Sequence, residues 1–175
     1  LVLGGSQGAV ALNERVPQAL AQLKGKLDFV VKHQAGAKNI KTAERFYQEA
    51  GVNAEVIPFI DDMAAAYGWA DAVICRSGAL TVSELAAAGV AALLVPFPFA
   101  VDDHQTRNGE YLSTNGAAKL VQQKDMTTES LAELLLQSFA DRQQLKQMAV
   151  KARELAMTDA TRKVVQQCLE VASGK

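Results

Sequence analysis

The sequence predicts an α/β fold, a parallel sheet covered by helices on both faces. Three observations carry that expectation. Ala72-Val73-Ile74-Cys75 and Ala91-Ala92-Leu93-Leu94-Val95-Pro96 are apolar runs with the length of buried strands. Between them an alanine-rich segment opens after Ser77-Gly78 and stops at Gly89, which makes a strand–helix–strand unit. Strand and helix patterns go on alternating along the chain, as a parallel sheet requires.

In chain order, Leu1-Val2-Leu3 reads as a strand running into Gly4-Gly5-Ser6-Gln7-Gly8-Ala9. A helical pattern follows through Ala11, Leu12, Val16, Ala19, Leu20 and Leu23, with Pro17 predicting a kink or a late start. A strand is expected over 27–33, a polar-faced helix over 39–50 ended by Gly51, and a short strand over 54–58. Asp62 suits the N-cap of a helix over 63–69. Beyond the central unit, residues 97–102 read as irregular and a helix is expected from near Asp103 to Thr114. Asn115-Gly116 is a turn, and 117–121 is the last strand. Three helices close the chain, over 128–139, 141–156 and 159–173. Thr127 or Thr128 is expected to cap the first of them and Asp159 the last.

The length of 175 residues fits roughly one domain, 1–175, with 159–175 as its C-terminal helix. A net charge of −1 offers no field for a nucleic-acid partner, so any phosphate site must be local. No apolar run is long enough to span a membrane. Cys75 in a strand and Cys168 in a late helix read as buried thiols of a reducing compartment. The chain opens mid-strand without a methionine, which reads as a fragment of a longer protein.

Ligands of such sheets bind beyond the carboxyl ends of the strands. Four stretches fall there: Gly4 to Gly8, Phe59 to Asp62, Arg76 to Thr81, and Pro96 to Asn108. The first is neither a Walker A nor a dinucleotide fingerprint, and is either a bare turn or a phosphate-touching one. At the third, a helix amino terminus offers unpaired N–H groups to an anion, with Arg76 beside it. Glu84 either accepts hydroxyls or closes a capping box, Thr81-Val82-Ser83-Glu84. His104, Gln105 and Asn108 share one helical turn and suit sugar hydroxyls, or else form a solvated first turn. Asp61-Asp62 and Asp102-Asp103 fit capping better than metal binding, and His33 fits a structural role. No nucleophile–base arrangement is visible.

Taken together and in this order, Gly4-Gly5-Ser6-Gln7-Gly8-Ala9, Phe59-Ile60-Asp61-Asp62-Met63, Cys75 through Glu84, and Asp103-His104-Gln105 with Asn108 resemble a known family. They match the C-terminal domain of the bacterial peptidoglycan N-acetylglucosaminyltransferases, the MurG type, over essentially the whole chain. Pro96-Phe97 and Asp159-Ala160-Thr161 agree as well. The resemblance implies the C-terminal half of a GT-B fold, two Rossmann-like domains with the donor held mainly by this one. It implies that Ile60 backbone groups read uracil and that Arg76 lies near the nucleotide. Leu80 and Thr81 would present amides to the diphosphate with help from Ser6, and Glu84 would hold the ribose. Gln105, Asn108 and His104 would meet the sugar.

The implied chemistry is inverting transfer of N-acetylglucosamine from uridine diphosphate to lipid I, giving lipid II. No cofactor or metal is implied, and no catalytic residue lies in this chain. Acceptor site, membrane-facing patch and general base would belong to an absent N-terminal domain, so the chain alone should bind donor without catalysing. The whole protein would be cytoplasmic and peripheral on the inner membrane. Rival readings are another nucleotide-sugar enzyme of this architecture, such as a 2-epimerase or a different glycosyltransferase, and a non-catalytic nucleotide-sugar binding module.

Overall fold

The structure is a computed structural model that describes residues 1–5 and 8–173. Its strands are β1 (Val2–Leu3), β2 (Lys32–Gln34), β3 (Glu55–Ile57), β4 (Ala72–Cys75), β5 (Ala91–Leu94) and β6 (Ala118–Leu120). Its helices are α1 (Val10–Ala21), α2 (Ile40–Glu49), α3 (Met63–Trp69), α4 (Ala79–Ala88), α5 (His104–Ser113), α6 (Thr128–Phe139), α7 (Arg142–Glu154) and α8 (Ala160–Ala172). Every pairing among the described strands is parallel, in the order β3-β2-β1-β4-β5-β6.

Alternation along each strand divides the core. Val2, Ile74, Leu93 and Val95 join Leu12, Val16, Leu131 and Leu135 from α1 and α6 on one face. Leu3, Val73, Cys75, Ala92 and Leu94 join Tyr67, Val82, Leu85 and Leu112 from α3, α4 and α5 on the other. The winding reverses between β1 and β4, so the loops that follow these two strands stand side by side at the carboxyl edge.

The elements follow the expected order, with instructive departures. β2 holds only Lys32–Gln34, the three residues that pair with β3, and β1 lies opposite just two of them. α1 starts at Val10 and runs through Pro17, so there is no late start. Asp62 caps α3 by accepting from Ala65 N–H at 2.8 Å, and Thr127 caps α6 in a capping box with Ser130. Asp159 makes no capping hydrogen bond; its carboxylate pairs with Lys163 at 3.0 Å instead. Cys168 is exposed, against the expected buried thiol, because α8 has no buried residue among those described. Cys75 is buried as expected.

One buried polar network ties α1 and α2 to β2. His33, fully buried, shares hydrogen bonds with Asn13 Oδ1 through Nε2 (3.0 Å) and with the Tyr47 hydroxyl through Nδ1 (2.9 Å). Asn13 Nδ2 also donates to the Ala35 carbonyl at 3.2 Å. Gly8, at a φ of 74°, is required beside this carbonyl, because a Cβ there would collide with it and with Asn39.

Burial, and secondarily the charge of the amino terminus, lowers the His33 pKa from 6.5 to about 3. Between those values the unfolded chain binds a proton that the folded chain does not, so stability rises with pH. The contribution of His33 is present above pH 6.5 and is lost as the pH falls toward 3. Its limiting slope is about 1.4 kcal/mol per pH unit. Denaturant unfolding from pH 7 to 4 is expected to show a steeper loss for the wild type than for His33→Gln. Parallel curves would show that His33 does not titrate in this window.

Candidate nucleotide-sugar site

The site forms where β1 and β4 end. α4 begins at Gly78, whose extended backbone (φ −62°, ψ 148°) turns the chain out of β4 into the helix. No described side chain caps this helix and its first turn carries no acidic residue. The N–H groups of Ala79, Leu80 and Thr81 therefore precede the helix's own hydrogen-bond ladder, and their dipoles favour a negative ligand. The Leu80 side chain is exposed, whereas Thr81 is half-buried. The start at Gly78 also decides the role of Glu84. Thr81 lies inside the helix rather than at its cap, so the capping-box reading fails. Glu84 is half-buried one turn further on, and its Oε2 accepts from the Tyr67 hydroxyl at 2.9 Å.

The loop behind this helix is fastened by Arg76, which the resemblance had placed near the nucleotide. Arg76 Nη1 donates to the carbonyls of Val95 (3.1 Å) and Pro96 (3.0 Å), and Nη2 donates to Gln123 Oε1 at 2.5 Å. Its guanidinium also lies over the Phe97 ring, 5.6 Å from the centroid. Arg15 holds the same turn from α1 by donating to the Gln123 and Met126 carbonyls. Burial lowers the Arg76 pKa from its ordinary value, yet three partners keep the charge satisfied. Arg76 thus clamps the ends of β4 and β5.

α5 is fastened to the same loop. The buried Ser77 hydroxyl donates to the Gln105 carbonyl at 2.7 Å, and Asn108 Nδ2 donates to the Ser77 carbonyl at 3.2 Å. The Gln105 side chain accepts from Phe97 N–H through Oε1 at 2.9 Å. Gln105 Nε2 and Asn108 Oδ1 have no partner among the described residues. His104, exposed, has Nδ1 2.7 Å from the Val101 carbonyl; a carbonyl only accepts, so Nδ1 carries the proton and Nε2 is left outward. Just before it, Asp102 and Asp103 both adopt positive φ (50° and 51°), a conformation that Asp tolerates better than most residues. Asp103 accepts from the Thr106 hydroxyl at 2.6 Å, but it makes no capping bond to a backbone N–H of α5, against the expected capping. Among the described residues no three His, Cys, Asp or Glu side chains gather as metal ligands.

Ile60 is buried in the core cluster that also holds Val82 and Leu85, so its side chain serves packing. Ser6 lies outside the described residues. Sequence reasoning did not single out Tyr67 or Gln123 as partners of the site, and nothing in their spacing signals it. Ser77 lay inside the quoted motif, but its role as a fastener is visible only in three dimensions. A cavity of about 890 Å³ opens at the opposite, amino edge of the sheet, lined by residues such as Leu20, Phe29, Ile74 and Leu135. Its lining also holds the charged Lys26, Asp28, Asp71 and Arg142, but open α/β sheets bind ligands at the opposite, carboxyl edge. Among the described residues no helix is long and apolar enough to cross a membrane.

The profile of the glycosyltransferase family 28 C-terminal domain matches residues 1–167. This chain belongs to glycosyltransferase family 28. Among curated family members it is 58% identical over 174 residues to a Marinobacter nauticus protein and 60% identical over 172 residues to one from Cupriavidus necator. Both are named UDP-N-acetylglucosamine--N-acetylmuramyl-(pentapeptide) pyrophosphoryl-undecaprenol N-acetylglucosamine transferase. The matches cover 99% and 98% of this chain and 48% of each relative, so the chain spans about half their length. The Acinetobacter baumannii MurG crystal structure is similar at a TM-score of 0.88 and 49% identity, over 95% of this chain and 48% of that one. The glycosyltransferase VinC, solved with dTDP, is similar in fold at a TM-score of 0.63 and 18% identity, over 94% of this chain and 40% of that one. The sheet of this family 28 chain is thus half of a GT-B architecture.

The clamp around Gln123 makes a stability prediction separate from ligand binding. Arg76→Lys keeps the charge but cannot span Val95, Pro96 and Gln123 with one planar fork. Urea unfolding is expected to show a loss of about 1.5–3 kcal/mol, the range for hydrogen bonds to charged groups. Stability equal to the wild type would mean that the fork does not hold the loop.

Proposed function

We propose that this chain is the donor-binding half of an inverting N-acetylglucosaminyltransferase that builds the peptidoglycan precursor. It binds uridine diphosphate N-acetylglucosamine, and within a longer protein it delivers the sugar to lipid I, making lipid II. The observation that carries the reading is the uncapped amino end of α4 at the β1/β4 crevice, with the Glu84 carboxylate one turn behind it.

The diphosphate sits on the amides of Leu80 and Thr81, with Ser6 contributing from the glycine loop. A helix dipole contributes only about 0.3–1 kcal/mol at an exposed terminus, so the directed amide hydrogen bonds must supply most of the affinity. Arg76 adds positive potential from behind the loop rather than a direct ion pair. Glu84 accepts from the ribose hydroxyls. Ile60 N–H and C=O read the uracil edge. Gln105 Nε2, Asn108 Oδ1 and His104 face the sugar, whose hydroxyls need both donors and acceptors.

In this arrangement the acceptor 4-hydroxyl attacks the anomeric carbon while uridine diphosphate departs with the bonding electrons. The preorganised N–H groups of α4 stabilise the charge that develops on the leaving diphosphate. General base, acceptor site and membrane contact belong to the half of the protein outside this chain. The complete enzyme works in the cytoplasm, peripheral to the inner membrane.

Calorimetric titration with uridine diphosphate N-acetylglucosamine is expected to show binding. In Glu84→Gln that binding should weaken by about 1.5–3 kcal/mol, with the thermal midpoint nearly unchanged. No binding to the wild type, or a variant that loses stability but keeps its affinity, would sink the assignment.

Base selectivity is a separate outcome. Uracil presents an N–H beside carbonyl acceptors, which one backbone N–H/C=O pair complements, whereas cytosine places a donor against a donor. An unpaired buried polar group costs about 1–3 kcal/mol, so cytidine diphosphate should bind at least about tenfold more weakly than uridine diphosphate. Ile60→Val should keep that preference, because backbone does the reading. Competition between the two nucleotides measures it, and equal affinities would show that this loop does not read the base.

A further inference from the structure

The carboxylate assigned to the ribose is gripped from behind. Tyr67 lies on α3, 6% exposed, in the core cluster that also holds Ile60, Val82 and Leu85. Its hydroxyl donates to Glu84 Oε2 at 2.9 Å. Burial, followed by the hydrogen bond to Glu84 and the charges of Glu84 and Cys75, raises the phenol pKa above its ordinary value. The hydroxyl therefore keeps its proton, and the direction of donation is fixed. An ionised carboxylate has two oxygens and about four acceptor directions. The phenol takes one on Oε2, and no other described residue bonds to the carboxylate.

We propose that Tyr67 is a positioning residue: by holding Glu84 Oε2 it fixes the carboxylate so that Oε1 is presented to the ribose hydroxyls of the nucleotide. The inference rests on the reading of Glu84 as the ribose acceptor. Glutamate has three side-chain torsions, and an unheld carboxylate must lose that freedom when the ligand arrives. Here it is ordered beforehand by a rigid ring anchored in the core. Tyr67 belongs to the same core cluster as Ile60, in the loop assigned to the base.

The test is calorimetry with uridine diphosphate and with 2′,3′-dideoxyuridine diphosphate, which has no ribose hydroxyls to offer. Tyr67→Phe keeps the ring and removes only the hydroxyl. It is expected to weaken uridine diphosphate about fivefold, the equivalent of one ordinary hydrogen bond, while the dideoxy nucleotide binds as to the wild type. In the Glu84→Gln background the same substitution should cost no further ribose preference. A loss shared equally by both nucleotides, or no loss at all, overturns the proposal, since a tyrosine that only packs cannot act through hydroxyls. Glu84→Gln separates the two layers of inference. If it leaves the preference for the ribose hydroxyls intact, the reading of Glu84 fails and the role of Tyr67 with it. If it abolishes the preference while Tyr67→Phe preserves it, the role of Tyr67 alone fails.

Discussion

Parallel strands cannot be joined by tight hairpins, so each connection crosses a face of the sheet before the next strand begins. In this chain the crossings run over one face from β1 outward to β3 and over the other from β4 outward to β6. The reversal between β1 and β4 parts the two following loops and leaves a crevice between the amino ends of α1 and α4. Neither helix has a side-chain cap among the described residues. Two amino-terminal dipoles at one crevice are an arrangement suited to an anion, and the remaining contacts of the site presuppose it.

The polar residues around that crevice divide into holders and presenters. Arg76, Ser77 and Gln123 spend their hydrogen bonds on the chain itself. Gln105 and Asn108 each give one end of the side-chain amide to the scaffold, and the other end is what the proposed sugar contact would use. Partial engagement has a physical use, since an amide tethered at one end offers the other at a defined angle. A buried or half-buried charge left without partners would cost more than it could return, which explains why Arg76 is turned inward. Electrostatic support from the protein then comes mostly from fixed dipoles and a screened guanidinium field.

The same logic separates rigid from adaptable parts. Strands β4 and β5, their buried side chains and the His33 network form the fixed base. The segment ahead of α5 carries exposed Phe99 and Val101 and two successive aspartates at positive φ. Strained backbone of this kind persists only where its surroundings hold it. Here the Asp103–Thr106 hydrogen bond and the contact of His104 with Val101 do so.

The sequence by itself determined the alternation of elements, the buried strands β4 and β5, the Gly89 stop and the cap at Asp62, and narrowed the cap of α6 to Thr127 or Thr128. Each of these is written in nearest neighbours: apolar runs, a residue without Cβ, a side-chain oxygen beside a free N–H. The ordered motifs also placed the candidate site at the carboxyl edge before any coordinate was known. Where the reading depended on a distant partner it stopped short. The extent of β2 follows its ladder with β3, and the exposure of Cys168 follows from what packs on α8. Whether Glu84 caps or presents its carboxylate turned on where α4 begins, since a start at Gly78 puts Thr81 inside the helix. The grip of Tyr67 on Glu84, the fork of Arg76 on Gln123 and the fastening of α5 by Ser77 join residues 17, 47 and 28 positions apart. No local pattern encodes such pairs; only folding the sheet brings the donors within reach of their acceptors.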